Sequence, residues 1–171
     1  AEGFIEHEKH VHGQAQLNIA IEKNEIEMEF SSPAMNLLGF EYKPSSDEDK
    51  QQLAQVVTTL RQGGKLFTLG GCKLKESDVS SELLGAEHDN GHSDDHSDGK
   101  HEISGHDQQD QGNHSDFLVH YHFHCVEGIP TQLKTSLFSS FPRLEDVTAT
   151  VLSRHQTQLT LSKQQNVINL R

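Results

Sequence analysis

The sequence predicts a mainly β protein of the α+β class: an antiparallel β sandwich-like domain with at least one packed helix and a long disordered His-rich insertion. Three observations predict it. Apolar and polar residues alternate strictly in several short runs, the mark of half-buried strands. One stretch, Ser45 to Leu60, switches to helical spacing. A third, Ala86 to Ser115, holds Ile103 as its one large aliphatic residue besides histidines and acids. The 171 residues suit one domain spanning 1–171, with a mobile loop at about 86–115.

Ala1 to Lys9 carries His7 among Glu2, Glu6, Glu8 and Lys9 and reads as a polar, extended arm. From His10 the alternation begins. Val11, Gly13, Ala15, Leu17, Ile19 and Ile21 share one parity, while His10, His12, Gln14, Gln16 and Asn18 share the other. Successive strand side chains point to opposite faces, so His10 and His12 fall on the polar face. Lys23-Asn24 reads as a two-residue turn, with Asn24 the residue tolerant of positive φ. Ile26, Met28 and Phe30 then alternate with Glu25, Glu27 and Glu29 to complete a hairpin.

Ser31-Ser32-Pro33 ends the hairpin, and the apolar segment up to Pro44 has no clear period. Ser45 or Ser46 caps a helix. Asp47, Glu48 and Asp49 suit its positive end, so they read as capping charges rather than ligands. Leu53, Val56, Val57 and Leu60 form its buried face, and Gly63-Gly64 stops it. Leu66 to Leu69 and Cys72 to Lys75 read as short strands, and Ser77 to Leu84 is ambiguous. Leu133 to Phe138, Val147 to Leu152, Gln158 to Leu161 and Val167 to Leu170 are the later strand candidates.

The insertion holds His88, His92, His96, His101, His106 and His114, with eight acidic residues and one lysine. It cannot bury enough apolar area to offset its ordering entropy, so mobility in the absence of ligand is expected. Asn90, Gly91, Ser93, Ser97 and Gly99 argue against a helix there. A metal-collecting tether is the functional reading; an acidic linker with incidental histidines is the plain one.

Asp116 to Cys125, D-F-L-V-H-Y-H-F-H-C, carries the chemistry. Phe117, Val119, Tyr121, Phe123 and Cys125 make one face; His120, His122 and His124 make the other. A structural strand needs no row of imidazoles, whereas neutral imidazole is the commonest metal-ligating side chain. Two H-x-H pairs arise, His10/His12 and His120/His122, the latter extended to His124. If the two histidine strands pair or face each other, three or four nitrogens converge on one ion. Glu6, Glu8, His7 and Asp116 are candidate outer ligands or acceptors for ligating rings.

Thirteen histidines and a formal net charge of -12 favour cation binding and disfavour nucleic acid or anionic membrane as partners. No apolar run approaches the ~20 residues of a membrane helix, so no direct membrane insertion is expected. The chain begins Ala-Glu-Gly without Met, which suits an exported mature form whose signal peptide is absent from this chain. In that setting Cys72 and Cys125 read as one disulfide. Two buried thiols or a thiolate ligand are the alternatives.

Three segments resemble the zinc-regulated periplasmic proteins called ZrgA: H-V-H-G-Q-A-Q-L-N-I-A (His10 to Ala20), S-P-A-M-N-L-L-G-F-E (Ser32 to Glu41) and H-S-D-F-L-V-H-Y-H-F-H-C (His114 to Cys125). F-P-R-L-E (Phe141 to Glu145) also fits. The resemblance implies a periplasmic zinc-binding protein that works with inner-membrane zinc transporter components. The family's H-x-H-G and H-S-D…H-x-H-x-H segments match here at His10, His12, Gly13, His114, Asp116, His120, His122 and His124.

The expectation is a non-enzymatic protein that captures Zn2+ with strand histidines and a His-rich loop for an uptake system. Two other classes share part of the pattern. A zinc hydrolase or hydratase would use the H-x-H strand plus a third histidine, but no H-E-x-x-H motif or defined general base is present. A copper or nickel resistance or sensor protein would also use imidazole. With two methionines in all, a Cu(I) carrier is disfavoured.

Overall fold

The structure is a computed structural model that describes residues 11–85 and 115–171. The predicted hairpin forms from β1 (Gln14–Glu22) and β2 (Glu25–Pro33), with Leu17 opposite Phe30, Ile19 opposite Met28 and Ile21 opposite Ile26. Lys23, at φ 55°, is the positive-φ residue of the turn, not Asn24. The alternation also overstates β1 at its start. Gly13, at φ 89°, turns the chain, and His12 lies in that turn rather than on a strand face. The Gly13 carbonyl accepts from the Glu145 and Asp146 amides at 2.8 and 3.0 Å, and its own amide donates to Asn36 Oδ1 at 2.6 Å. Asn36 is buried and donates onward to the Gln14 carbonyl at 2.9 Å.

Asn36 belongs to α1 (Ala34–Leu38), a short helix in the segment without a clear period. The predicted helix is α2 (Asp47–Arg61); Ser46 Oγ accepts from the Asp49 amide at 3.1 Å. α3 (Gly63–Leu66) leads to β3 (Phe67–Thr68). β4 (Cys72–Ser81) runs through much of the ambiguous stretch, because pairing with a distant strand decides its length, not local pattern. A 3-10 turn, Glu82–Leu84, follows.

β5 (Asp116–Cys125) has the predicted bounds and parity, its odd-numbered side chains buried. The expected strand Leu133 to Phe138 instead divides into β6 (Gln132–Thr135) and α4 (Leu137–Ser140). Thr135 Oγ1 accepts from the Leu137 amide at 3.2 Å while donating to the Leu66 carbonyl at 3.1 Å, which turns the chain out of the strand. β7 (Asp146–Leu152), β8 (Gln156–Ser162) and β9 (Val167–Asn169) complete the order.

Six strands form one sheet in the order β4-β5-β2-β1-β7-β8, and β3-β6-β9 form a second. Pairings are antiparallel except β1 with β7. The buried apolar residues of both sheets and the helices make one cluster. Phe67 meets Tyr121 edge to face at 5.3 Å, joining the small sheet to the large one. One face of the large sheet is thus packed and the other is open to solvent, as an antiparallel sheet permits. Among the described residues no helix is long and apolar enough to cross a membrane.

Tyr121 pins the layers together directly beneath the histidine row. Its hydroxyl donates to the Leu60 carbonyl at 2.5 Å, and its burial pushes the phenol pKa well up. Gly63 lies so close that an added Cβ would meet Tyr121 Cδ1 at 2.6 Å. Gly63→Ala is therefore expected to cost ~1–3 kcal/mol through overpacking, read as a lower urea midpoint at unchanged m-value.

Candidate metal centre on the open sheet face

The imidazoles of β5 lie on the open face, between β2 and β4. The registers set their neighbours. His120 stands between Glu29 and Asp78, His122 between Glu27 and Glu76, and His124 between Glu25 and Lys73. Two local features arrange this. The hairpin turn is pinned to β5 by the Cys125 amide donating to the Asn24 carbonyl at 2.8 Å, which sets Glu25 beside His124. On β4 the register shifts between Leu74 and Glu76, so Lys75 is an extra residue. Without that bulge the alternation from Lys73 would turn Lys75 and Ser77 to the histidine side; with it, Glu76 and Asp78 face the row.

Glu76, Asp78 and His120 each offer a ligand atom within 4.8 Å of the other two. One imidazole nitrogen and two carboxylate oxygens are a donor set that zinc accepts. The site is open to solvent, with Glu76 and Asp78 exposed and His120 half-buried. Glu27 Oε2 approaches His120 Nε2 to 3.7 Å. Farther along the strand, Glu25 spans two rings: Oε1 lies 2.5 Å from His124 Nδ1 and Oε2 2.5 Å from His122 Nε2. The hydrogen bonds from His124 and then His122 hold the Glu25 carboxyl below its ordinary value.

Cys72 and Cys125 form a disulfide, settling the three-way alternative left by the sequence. They are register partners at one end of β4 and β5, so the bridge ties the strand carrying Glu76 and Asp78 to the strand carrying the imidazoles.

The other expected ligands are placed elsewhere. Gln16, Ser31 and Leu118 are level across three strands. His12 precedes that line by four residues and His120 follows it by two. The strand part of that offset, from the level of Gln14 to that of His120, is four residues, ~13 Å along the sheet at ~3.3 Å per residue. His12 therefore does not join His120, His122 and His124. It sits against Glu41, Nε2 to Oε1 at 3.6 Å, at the end of the sheet where Asp116 begins β5. Strand direction explains this: β1 and β5 run the same way, with Gly13 turning the chain off before it could double back. His7, His10, His88, His92, His96, His101, His106 and His114 lie outside the described residues. Ser115, assigned to the insertion from sequence, belongs to the fold: it is buried and its carbonyl accepts from the Ala34 amide at 2.8 Å.

Glu25, Glu76 and Asp78 were not among the expected ligands. The polar parity of Glu25 was visible, but its value depends on β2 pairing with β5. Nothing local announced the bulge that turns Glu76 and Asp78 to the row.

No curated protein matches the chain. Residues 9–170 match the model of a family described as ZrgA family zinc uptake protein. That is a zinc uptake family and not an enzyme family, which agrees with a histidine and carboxylate cluster on an open face. A structural disulfide belongs to oxidising compartments, and with the family this indicates an extracytoplasmic protein. The match covers nearly the whole chain, and the chain belongs to the ZrgA family of zinc uptake proteins.

Proposed function

We propose that this protein is a periplasmic zinc carrier that holds Zn2+ at Glu76, Asp78 and His120 and passes it to the membrane components of an uptake system. The observation that carries the reading is the convergence of these three ligand atoms within 4.8 Å on an exposed sheet face. An exposed site suits a carrier, because a partner must reach the ion to remove it. Imidazole with carboxylate favours zinc over Cu(I), which prefers thiolate and thioether. The histidines of the 86–114 segment act as a collecting tether that raises local zinc and feeds the folded site.

A second position fits the same function. His12 lies against Glu41 at the end of the sheet near Asp116, and His10 and His114 are each two residues away in sequence from His12 and Asp116.

Isothermal titration of the metal-free chain tests the reading. At least one zinc equivalent is expected to bind with a Kd of about micromolar or tighter; no binding tighter than millimolar would end it. Replacing 86–114 by a Gly-Ser linker of equal length, with Ser115 kept, is expected to lower the stoichiometry while the tight site persists.

A further inference from the structure

We propose that two copies of this chain associate through β8, the outer edge of which pairs antiparallel with β8 of the second copy and joins their large sheets into one. This is independent of where zinc binds.

β8 ends the six-stranded sheet and is paired on one side only, to β7. The direction of its backbone groups follows from Ser162. The Ser162 amide donates to the Gln165 carbonyl at 3.0 Å, and the Gln165 amide donates to the Ser162 carbonyl at 3.1 Å. Ser162 therefore turns both of its backbone groups away from β7. In an antiparallel ladder this direction alternates from residue to residue. Gln156, Gln158 and Thr160 thus point outward as well, while Thr157, Leu159 and Leu161 bond to β7. Among the described residues, no hydrogen bond reaches the outward amides and carbonyls of Gln156, Gln158 and Thr160.

The two edges of the sheet differ. β4, at the other edge, carries Lys73, Lys75, Glu76 and Asp78 and a bulge, devices that discourage pairing with another chain. β8 reads Gln-Thr-Gln-Leu-Thr-Leu-Ser, without charge or proline and without a register shift against β7. The cations Arg154 and Lys163 lie beyond its ends. In a chain of net charge -12, such a strand can meet its own copy with no like charges opposed within it. The register is self-complementary too. With a two-fold axis at Gln158, that residue faces itself and Gln156 faces Thr160 of the second copy, so each outward residue exchanges both of its bonds. On the core side the half-buried Leu159 comes opposite Thr157 of the second copy and gains cover. Because the β4 edge is blunted, assembly closes at two copies instead of growing. A two-fold axis that reverses strand direction within one sheet stands perpendicular to it, so both open faces look the same way. From the order β5-β2-β1-β7-β8, the two histidine rows are then nine strand spacings apart, about 43 Å along the sheet.

Sedimentation equilibrium of the full chain in EDTA, which removes zinc bridges, is the test. A monomer–dimer equilibrium with a Kd of roughly 10–100 µM is expected, since one strand edge is smaller than the ~800 Å2 per partner of a standard interface. Gln158→Pro removes an amide that faces outward, so pairing with β7 is kept. It is expected to weaken dimerisation about tenfold or more, because symmetry removes two bonds. Gln158→Lys and Gln158→Glu each set two like charges face to face at the axis and are expected to weaken it also. An equimolar mixture of the Lys and Glu variants is expected to recover dimers, which misfolded chains cannot do. A parent that stays monomeric to ~1 mM, variants that dimerise as the parent does, a mixture no better than its components, or masses that rise past the dimer would each overturn the proposal.

Discussion

Replacing Cys72 and Cys125 together by serine is expected to lower the unfolding free energy by roughly 4 kcal/mol and to weaken zinc binding at His120. The first effect follows from the loop that the bridge closes, with a sequence separation of 53. Cross-linking a chain over that span removes about 4 kcal/mol of loop-closure entropy from the unfolded state. The second effect follows from where the bridge sits. β4 is an edge strand, paired on one side to β5 and interrupted by the Lys75 bulge. Glu76 and Asp78 lie beyond that bulge, so their register against His122 and His120 is defined by pairing with β5 and by the bridge at the strand's start. Once the bridge is gone, fraying of β4 parts the carboxylates from the imidazole. Urea unfolding and zinc titration of the same variant read both effects. A stability loss below about 1 kcal/mol, with zinc affinity unchanged, would show that β4 keeps its register unaided.

The second large effect is expected from His120→Ala, and equally from Asp78→Asn with Glu76→Gln. Mutating residues that merely orient zinc ligands typically costs 10–100-fold in affinity, so removing a direct ligand should cost about 100-fold or more. The loss should appear in one equivalent of the titration and leave folding unchanged, because all three side chains are on the open face and outside the apolar cluster. Ser80→Ala, on the same strand and exposed, is the control and should bind as the parent does. His12→Ala discriminates between the two ends of the sheet. If His12→Ala abolishes the tight equivalent while His120→Ala spares it, the ion resides by Glu41 rather than on the row.

Side-chain periodicity made much of this protein legible. The parity of Asp116 to Cys125 alone places Tyr121 inside and His120, His122 and His124 outside, because a strand with one buried face admits no other register. The Ser45-Ser46 pair and the first turn of acids likewise bracket where α2 begins, and the structure selects Ser46 as the cap. The hairpin between β1 and β2 was readable for the same reason, and so was the pairing of the two cysteines once an oxidising compartment was inferred. The turn at Gly13 was not, since a glycine within an alternating run looks like a small residue on the apolar face. Its φ of 89° is imposed by contacts with Asn36, Glu145 and Asp146, residues distant in sequence.

The composition of the candidate centre shows the same division. Which residues are imidazoles, and that they share a face, are properties of one strand and follow from the order of its residues. Which carboxylates complete the centre is a property of three strands. Glu25 reaches the row because β2 pairs with β5, and Glu76 and Asp78 reach it because one extra residue in β4 reverses that strand's parity. His12 stands apart because β1 and β5 run in the same direction, which leaves it before the start of β1, with the level of His120 ~13 Å farther along the sheet from Gln14. The sequence by itself determined a strand face of imidazoles; the tertiary structure decided which carboxylates stand beside it, because strand order and register are set by packing between segments that no local pattern connects.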